Sequence, residues 1–517
     1  MLSWLKKEKV DHSLADARQA KEVIDAFPVN DPWQTLEDAS HWLDSINTTE
    51  GFGLGKRFEL IDALDVATRR AQRKLLDTYL ALKVEDKIQE RRIWNSVTSF
   101  WRLLTAGYLA CIAQARDNKN VTGAIKPMLP VMAARGTRAL RNQLKWVLMR
   151  YSMVRPGMWS EIARCTAFAE VGGFAGTMVE VYSGEQGSVH HELLRAMMFW
   201  AASPGGLSPP EQDIAERILI DLTPQFGLTD KQTADSFYCF DLNTPRSPLR
   251  VTQAPAPTAD TRFFDAVQAH KATQSMLAAI TSTGALPSAA DFTLGPGASV
   301  TAAIRVLNYL QVNWAKEMRA RAGDRRQTAL SLQMVHGYQN VLTAIAPELG
   351  DPDEGLDFSS DPVHETVVAE DVSTGGYGLI VPAAKAGWVK VGVLVGVRAE
   401  TESLWSVGVV RRVKGDAHQQ FRIGVQLIAK APVLVRLSAA AVADRSAKPS
   451  QHALLLGTKP SQNGSLHILA RRDIFSGGHL LEGAYGNPVE TVMLDAVGAV
   501  ESGDDFDWLR YKLYEPI

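Results

Sequence analysis

Four arginines stand within eight residues of the chain, and their side chains could bind an anion. They are Arg319, Arg321, Arg325 and Arg326. A guanidinium group is planar, permanently charged and fork-shaped, so it suits phosphate oxygens and the O6/N7 edge of guanine equally well. The same run is compatible with a solvated helix end, where cations complement the backbone dipole. Taken alone, the run favours this second, purely structural interpretation.

A short turn further along the chain could approach a ligand closely. The segment Asp371–Gly376 has the sequence Asp-Val-Ser-Thr-Gly-Gly and stands between two candidate strands. Its Asp and Ser side chains form hydrogen bonds, and its paired glycines allow positive φ angles and close approach of the backbone to a ligand. Taken alone the segment is simply a favourable turn, so the weight of both motifs depends on the elements around them.

Those elements are short strands. Leu330, Leu332 and Met334 alternate with polar residues, which is the period of a half-buried strand. Further short strands follow, separated by glycines and polar turns and with few helices between them, a pattern that predicts a small antiparallel barrel. After a polar stretch at 444–451 the strand signals resume. The candidate strands are Thr366–Ala369, Tyr377–Val381, Val389–Val397, Trp405–Val413, Phe421–Ile428, Pro432–Leu437, Ala453–Leu456, Leu466–Ala470, Val492–Val497 and Trp508–Leu513.

The chain before the arginine run has helical periodicity instead. Tryptophans are scattered through this region without a regular spacing, which predicts that they fill helix–helix interfaces. The segment 243–261 holds four prolines and is typical of an extended linker or a long loop. The candidate helices are Phe58–Leu82, Ile93–Ala115, Val131–Tyr151, His190–Ala202, Pro210–Leu222, Arg262–Ile280 and Val300–Met318.

The predicted fold is therefore α+β and multidomain. A large all-α N-terminal region is expected over 1–242, followed by the proline-rich linker or loop over 243–261. A helical segment over 262–318 leads into a small antiparallel β-barrel over 319–440. The remaining residues, 441–517, are predicted to form a C-terminal β extension or a second small β unit.

Taken in order, the two motifs and the strands after them resemble the PilZ domain, the bacterial receptor module for cyclic di-GMP. The resemblance covers about a quarter of the chain, and it implies a six-stranded barrel that holds its ligand on the outside. The ordered set consists of Arg-x-x-x-Arg at Arg321 and Arg325, Asp-x-Ser-x-x-Gly at Asp371, Ser373 and Gly376, and the strands Trp405–Val413 and Phe421–Leu427.

The resemblance also implies roles for individual residues. The arginine pair would contact phosphate and guanine, and the turn would supply guanine-edge and backbone contacts. An Asp suits this turn because a carboxylate accepts from the N1–H and N2–H donors of guanine. Arg319 and Arg326 would be supplementary contacts. The predicted ligand-binding residues are Arg321, Arg325, Arg326, Asp371, Ser373 and Gly376.

This sequence departs from the family pattern in one respect. Forty-five residues separate Arg325 from Asp371, which is more than the family's usual gap. The excess falls in Gln339–His364 and includes the acidic run Asp351–Glu354. We expect a surface insertion, partly helical, whose acidic residues could lie near the arginines.

Composition limits the other functions. The formal net charge of -2 argues against a nucleic-acid-binding role, because such proteins usually carry a basic excess. Three widely spaced cysteines indicate neither a disulfide framework nor a zinc site. The N-terminus has no apolar core of signal-peptide length, and no stretch reaches the roughly 20 apolar residues of a membrane span. We expect a cytoplasmic protein without membrane insertion.

Motifs for catalysis or for a bound metal are weak. His190 and His191 lack companion metal ligands at the required spacing, Gly51–Lys56 lacks the spacing of a phosphate-binding loop, and Ser476 lacks the first glycine of a nucleophile elbow. The Gly-Gly-Asp-Glu-Phe and Glu-Ala-Leu signatures of the enzymes that make or degrade cyclic di-GMP are also absent from the sequence. We therefore expect no enzymatic activity and no cofactor.

The sequence favours a non-catalytic receptor that binds cyclic di-GMP at the barrel and relays it through the helical region to a protein partner. Two alternatives remain open. The barrel could be that of a structural or adaptor protein that no longer binds nucleotide, for which the acidic insertion is the supporting feature. A nucleic-acid-binding barrel is the weaker alternative, because the strands carry no aromatic stacking stripe.

Overall fold

The computed structural model describes residues 10–82, 86–117, 123, 125–286, 294–295, 298–317, 326–346, 364–418, 420–439, 450–460, 464–472, 480–486 and 488–514. The chain forms two compact units, Met1–Arg319 and Ala320–Ile517. Among the helices within these described ranges, none combines the length and the apolar character that a membrane span requires.

The first unit is mainly helical, as the periodicity predicts. Asp31 accepts hydrogen bonds from the backbone N–H groups of Trp33 and Gln34 at the start of the second helix. Ser208 and Glu211 form a capping box at the start of the eighth. The helices are α1 (Ala17–Asp25), α2 (Pro32–Thr48), α3 (Leu54–Ala81), α4 (Lys87–Asp117), α5 (Leu129–Met149), α6 (Pro156–Val171), α7 (Val189–Ala201), α8 (Pro209–Asp221), α9 (Val267–Thr283) and α10 (Val300–Asn313).

A continuous apolar core fills this helical unit. α4 and α5 pack against each other, α4 contacts α2 and α3, and α5 contacts α6 and α7. Trp101, Trp146 and Trp314 lie in this core, and Trp94 and Trp200 pack against it. The tryptophans therefore fill helix interfaces, which is the role that their irregular spacing predicts.

Charged side chains are also buried in the helical unit, and most of them form ion pairs. Arg141 donates to Glu192 over 2.8 Å, and Lys145 donates to Asp213 over 2.6 Å. Burial alone would raise the pKa of both Glu192 and Glu216. Arg141 and Arg195 lower the pKa of Glu192 to about 2, and Lys145 and Arg141 lower that of Glu216 to about 2. Such pairing is required here because an unpaired buried charge is costly.

Two small sheets interrupt the helices, and the periodicity does not predict them because their strands are two to five residues long. A hairpin of β1 (Val179–Tyr182) and β2 (Glu185–Gly187) precedes α7. A four-stranded sheet has the order β3-β6-β4-β5. The proline-rich segment 243–261 contributes β5 and the start of β6, so it is a loop within this sheet and does not link two domains. The strands are β3 (Gly227–Thr229), β4 (Tyr238–Asp241), β5 (Leu249–Arg250) and β6 (Thr261–Asp265).

The second unit begins with a closed six-stranded antiparallel barrel, called here the first barrel. Around it the strands follow the order β7-β8-β9-β12-β11-β10, and β10 closes on β7. The apolar residues Leu332 and Met334 of β7 are buried, as their alternation predicts. The strands are β7 (Arg326–His336), β8 (Glu365–Ser373), β9 (Gly376–Pro382), β10 (Leu394–Ala399), β11 (Ser406–Gly415) and β12 (Gln420–Lys430).

The unit ends with a further closed six-stranded barrel, called here the second barrel. Its strands follow the order β13-β14-β15-β18-β17-β16, and β16 closes on β13. Numbered from the first strand of each barrel, the two orders are identical. The strands are β13 (Val433–Ala439), β14 (Gln451–Leu455), β15 (Ser465–Arg471), β16 (Leu481–Tyr485), β17 (Glu490–Ser502) and β18 (Phe506–Leu513).

The structure differs from the predicted strand pattern at two places. β13 falls inside the range 319–440 that the sequence assigns to the first barrel, but it pairs with β14 and β16 and so belongs to the second. Periodicity cannot make this distinction, because it does not reveal which strand pairs with which. β16 is absent from the predicted strands, since Leu481–Tyr485 offers only five residues with a central glycine.

The two barrels pack together through an apolar interface. Helix α11 (Tyr338–Ile345), which follows β7, lies in it. Its residues Tyr338, Val341 and Leu342 are buried together with Leu469 and Phe506 of the second barrel. The sequence predicts a partly helical surface insertion in this stretch; the helix is present, but its apolar side is covered. The acidic run of the insertion lies outside the described residues.

Candidate functional site

The candidate site is built on a row of residues that crosses four neighbouring strands of the first barrel. Asp371 of β8 pairs with Gly378 of β9, and Gly378 pairs with Gly424 of β12. Gly424 in turn pairs with Arg412 of β11. Adjacent strands lie about 4.8 Å apart, so the row spans about 14 Å from the Asp371 backbone to the Arg412 backbone. The carboxylate of Asp371 and the guanidinium of Arg412 thus belong to the two ends of the row, with the two glycines between them.

The two glycines leave the middle of this row without side chains. A Cβ atom at position 378 would lie within 2.8 Å of the Asp371 carboxylate, so that carboxylate extends over Gly378. A Cβ atom at position 424 would meet only the Cβ of Arg412, at 3.5 Å. The result is a backbone surface without side chains of its own, called here the glycine floor and consisting of Gly378, beneath the Asp371 carboxylate, and Gly424, which is uncovered. A flat ring could lie on such a surface.

The turn before β9 is fixed by close backbone packing. A Cβ atom at position 376 would lie 2.0 Å from the carbonyl oxygen of Val425, so only glycine fits there. The Gly375 carbonyl accepts from the backbone N–H of Leu427 at 2.9 Å. The Ser373 hydroxyl donates to the Gly376 carbonyl at 3.3 Å. The predicted Asp-x-Ser-x-x-Gly turn is therefore tied to β12.

A β-bulge presents cations on the far side of the floor. The pairing of β11 with β12 shifts between Val410 and Arg412, which leaves Arg411 as an extra residue. Beyond the bulge Val413 is buried, whereas Arg412 and Lys414 are exposed on the outer face. Within the part of the chain that the structure describes, neither of these two cations has an ion-pair partner.

Two other arginines at the site are paired with carboxylates. Arg422 of β12 lies 3.1 Å from Glu370 and has a side chain that is 55% exposed. Arg411 makes a bidentate pair with Glu501 of the second barrel, with N···O distances of 2.5 and 2.7 Å. Its Nε also donates to Gln426 over 2.8 Å. The site therefore holds two cations that are restrained and two that are not.

The turn, the glycine floor and the charged groups described above, apart from Glu501, line one open cavity of about 430 Å³ on the outer face of the first barrel. Its lining contains four cations, Arg411, Arg412, Lys414 and Arg422, and two carboxylates, those of Glu370 and Asp371. Pockets of this size hold small ligands. The positive excess suits an anionic ligand, and the carboxylate over the floor suits a hydrogen-bond donor.

The predicted site residues have different outcomes. Asp371, Ser373 and Gly376 come together at this cavity. Arg326 is exposed at the first position of β7, directly opposite Val372, but it does not line the cavity. Arg319, Arg321 and Arg325 lie outside the described residues.

The cations of β11 and β12 are the site residues that sequence reasoning misses. Arg411 and Arg412 follow Val409-Val410, and Arg422 follows Phe421, in strands that the periodicity does predict. Alternation along β12 would have placed Arg422, Gly424 and Gln426 on one face. Their position beside Asp371 depends on strand pairing, for which a single sequence carries no signal.

A closed six-stranded barrel with an Asp-x-Ser-x-x-Gly turn beside a cavity on its outer face defines the class of PilZ domains. Two family models match this chain. Residues 18–233 match the N-terminal domain of the cyclic-di-GMP receptor FimW. Residues 291–432 match the middle PilZ domain of the same receptor. These matches together cover more than two thirds of the chain, which therefore belongs to this family of cyclic-di-GMP receptors.

The matches bear on the two barrels differently. The match to the middle PilZ domain ends at residue 432, between β12 and β13, so it contains the whole first barrel. The second barrel lies beyond both matched ranges. No curated protein matches the chain.

Proposed function

We propose that this chain binds cyclic di-GMP on the outer face of the first barrel, in the cavity above the glycine floor. The ligand carries two guanine bases and two phosphate groups. The single observation that carries the proposal is the row in which Asp371 and Arg412 flank Gly378 and Gly424. It offers an acceptor for guanine donors, a flat surface and a cation at the same level of the barrel.

Hydrogen-bond chemistry supports the orientation of the base. The Asp371 carboxylate can accept from N1–H and N2–H of guanine, while Arg412 or Lys414 can donate to a phosphate oxygen or to the O6/N7 edge. The distance of about 14 Å between the two ends of the row leaves room for a dinucleotide between them. Ser373 and Gly376 hold the turn in place.

We propose that the arginine run, which leads into the first residue of β7, completes the site beside the Asp371–Gly376 turn. Arg326 begins β7 and pairs with Val372, one residue from Asp371. Arg325 directly precedes it in the chain, and Arg321 stands four residues earlier. Because phosphate–arginine pairs are charge-assisted, Arg321 and Arg325 would contribute phosphate and guanine contacts, with Arg326 as a supplementary one.

Calorimetric titration of the full chain with cyclic di-GMP tests this function. The wild type should bind, and Asp371→Ala should weaken binding about 10- to 100-fold, because the guanine donors lose a charged acceptor. Asp495→Ala is a matched control, since Asp495 is an exposed strand carboxylate on the second barrel. Absence of binding by the wild type would refute the proposal and favour an adaptor whose barrel no longer binds nucleotide.

We further propose that the helical unit carries the output to a protein partner. Support comes from the order of the chain, in which α10 ends at Asn313 and the arginine run begins at Arg319. Contacts between that run and a charged ligand would bias the conformation of α10, the helix that precedes the run in the chain. Hydrogen exchange in α10 should slow when cyclic di-GMP is added. Unchanged exchange throughout the helical unit would contradict the relay.

The proposed compartment is the cytoplasm. Cys111, Cys165 and Cys239 are buried and unbonded. Burial raises the pKa of the Cys111 and Cys165 thiols to about 12, so these thiols stay protonated and unreactive. Such cysteines suit a reducing compartment. Secretion into the periplasm in an expressing cell, detected by fractionation of the native protein, would contradict this placement.

A further inference from the structure

Two adjacent arginines line the cavity of the first barrel in different electrostatic states. Arg412 is exposed and has no ion-pair partner among the described residues. Arg411 is held by Glu501 through two hydrogen bonds and by Gln426 through a third. The Arg411 side chain is 30% exposed and that of Glu501 only 13%. At these two positions a ligand in the cavity therefore meets one bare cation and one neutralised pair.

The irregular strands on both sides explain why this pair forms. Arg411 is the extra residue of the bulge in β11, and Glu501 follows a register shift after Ala499 in β17. Bulges re-aim side chains away from the regular alternation. Arg411 is thus directed toward the second barrel. There it contacts the carboxylate of Glu501, which lies 90 positions further along the chain.

The charge of Glu501 has a direct consequence for an anionic ligand. A guanidinium has five N–H donors, so a phosphate could still approach Arg411 beside Glu501. The phosphate and the carboxylate would then repel each other across one guanidinium. Binding must either tolerate this repulsion or displace Glu501 from Arg411, and both cost affinity.

We propose that Glu501 of the second barrel restrains cyclic di-GMP binding by holding Arg411 in a neutral pair. This inference rests on the proposed function of the first barrel. It gives the second barrel a defined role, because that barrel supplies a carboxylate that sets the affinity of a site it does not itself contain. Anything that draws Glu501 away from Arg411 would strengthen ligand binding.

A double-mutant cycle at positions 411 and 501 tests the proposal, with affinity measured by calorimetric titration of the full chain. Glu501→Gln keeps the size and one acceptor oxygen but removes the charge, so affinity for cyclic di-GMP should rise about five-fold. Arg411→Gln removes the guanidinium that offsets the charge of the Glu501 carboxylate, and affinity should fall about five-fold. The double variant is neutral, like the wild-type pair, and should bind within about two-fold of the wild type.

Controls separate this effect from a structural one and from a failure of the proposed function. Glu482→Gln removes an exposed carboxylate elsewhere on the second barrel and should leave the affinity unchanged. An affinity of Glu501→Gln equal to or below that of the wild type would overturn the restraint. Should that variant not fold, weakened binding by Arg411→Gln that the double variant fails to restore would overturn it equally. If no variant binds cyclic di-GMP, the proposed function itself fails, and the restraint with it.

Discussion

The outer face of the third and sixth strands is open in the first barrel and covered in the second. In the first barrel these strands are β9 and β12, and they carry the glycine floor. In the second barrel they are β15 and β18, whose outer residues Leu469, Phe506 and Trp508 pack into the interface between the barrels. The same surface of the same topology thus faces a cavity in one barrel and a protein neighbour in the other.

This difference teaches that side-chain size, and not strand order, decides what such a barrel face does. Glycines leave the backbone bare, so a ligand can approach it. Large apolar side chains in the same place must be buried, because exposed apolar surface is unfavourable. The turn between β14 and β15 also lacks the Asp-x-Ser-x-x-Gly motif in sequence, since it runs from Leu456 to Gly464 without an aspartate.

The largest expected effect is a loss of stability when a large side chain is removed from the covered outer face of the second barrel. Phe506 is 0% exposed at the interface, and Phe506→Ala should lower the free energy of unfolding by about 3–5 kcal/mol, because it leaves a cavity among apolar side chains. Urea unfolding of the full chain measures this. A loss below about 1 kcal/mol would mean that the second barrel does not depend on this contact.

A smaller effect is expected where the turns of the two barrels differ in packing. Gly376→Ala forces a Cβ to within 2.0 Å of a backbone oxygen and should destabilise the chain by about 1–3 kcal/mol. Gly457, in the corresponding turn of the second barrel, has only the Lys459 carbonyl at 4.0 Å from such a Cβ, so Gly457→Ala should change little. Thermal unfolding of both variants would sharpen the comparison, and equal midpoints would break it.

The smallest effect is expected from a single exposed cation on each barrel. Arg412→Gln should weaken cyclic di-GMP binding about five-fold, because one charge-assisted contact is lost while the fold is untouched. Arg436→Gln removes an exposed arginine from the second barrel and should not alter binding. Calorimetric titration of the two variants distinguishes them. Equal affinities would remove Arg412 from the site.

The sequence predicts the local elements of this molecule better than their partners. Alternation and helical periodicity are local, so most strands of both barrels and the long helices are predictable. The Asp371–Gly376 turn is predictable for the same reason, because its chemistry lies in six consecutive residues. The two small sheets of the helical unit are not, because strands such as β5, with two residues, are too short to show a period.

The site itself is predicted only in part, because half of it depends on strand pairing. Asp371 and Arg412 are 41 positions apart in the chain, and only the register of β8, β9, β12 and β11 aligns them. The pairing of Arg411 with Glu501 depends in addition on how two barrels pack. Neither relation has a signature in residue types or spacing.

The most direct measurement is a calorimetric titration of cyclic di-GMP into the full chain and into its Gly424→Ala variant. The added methyl group meets nothing closer than 3.5 Å in the fold, so thermal stability should be kept. It occupies the glycine floor, however, and affinity should fall at least about ten-fold. Gly387→Ala, in an exposed 3-10 helix (Ala383–Trp388) of the same barrel with nothing within 4 Å of its Cβ, is the control. Wild-type affinity in Gly424→Ala would contradict binding on the glycine floor.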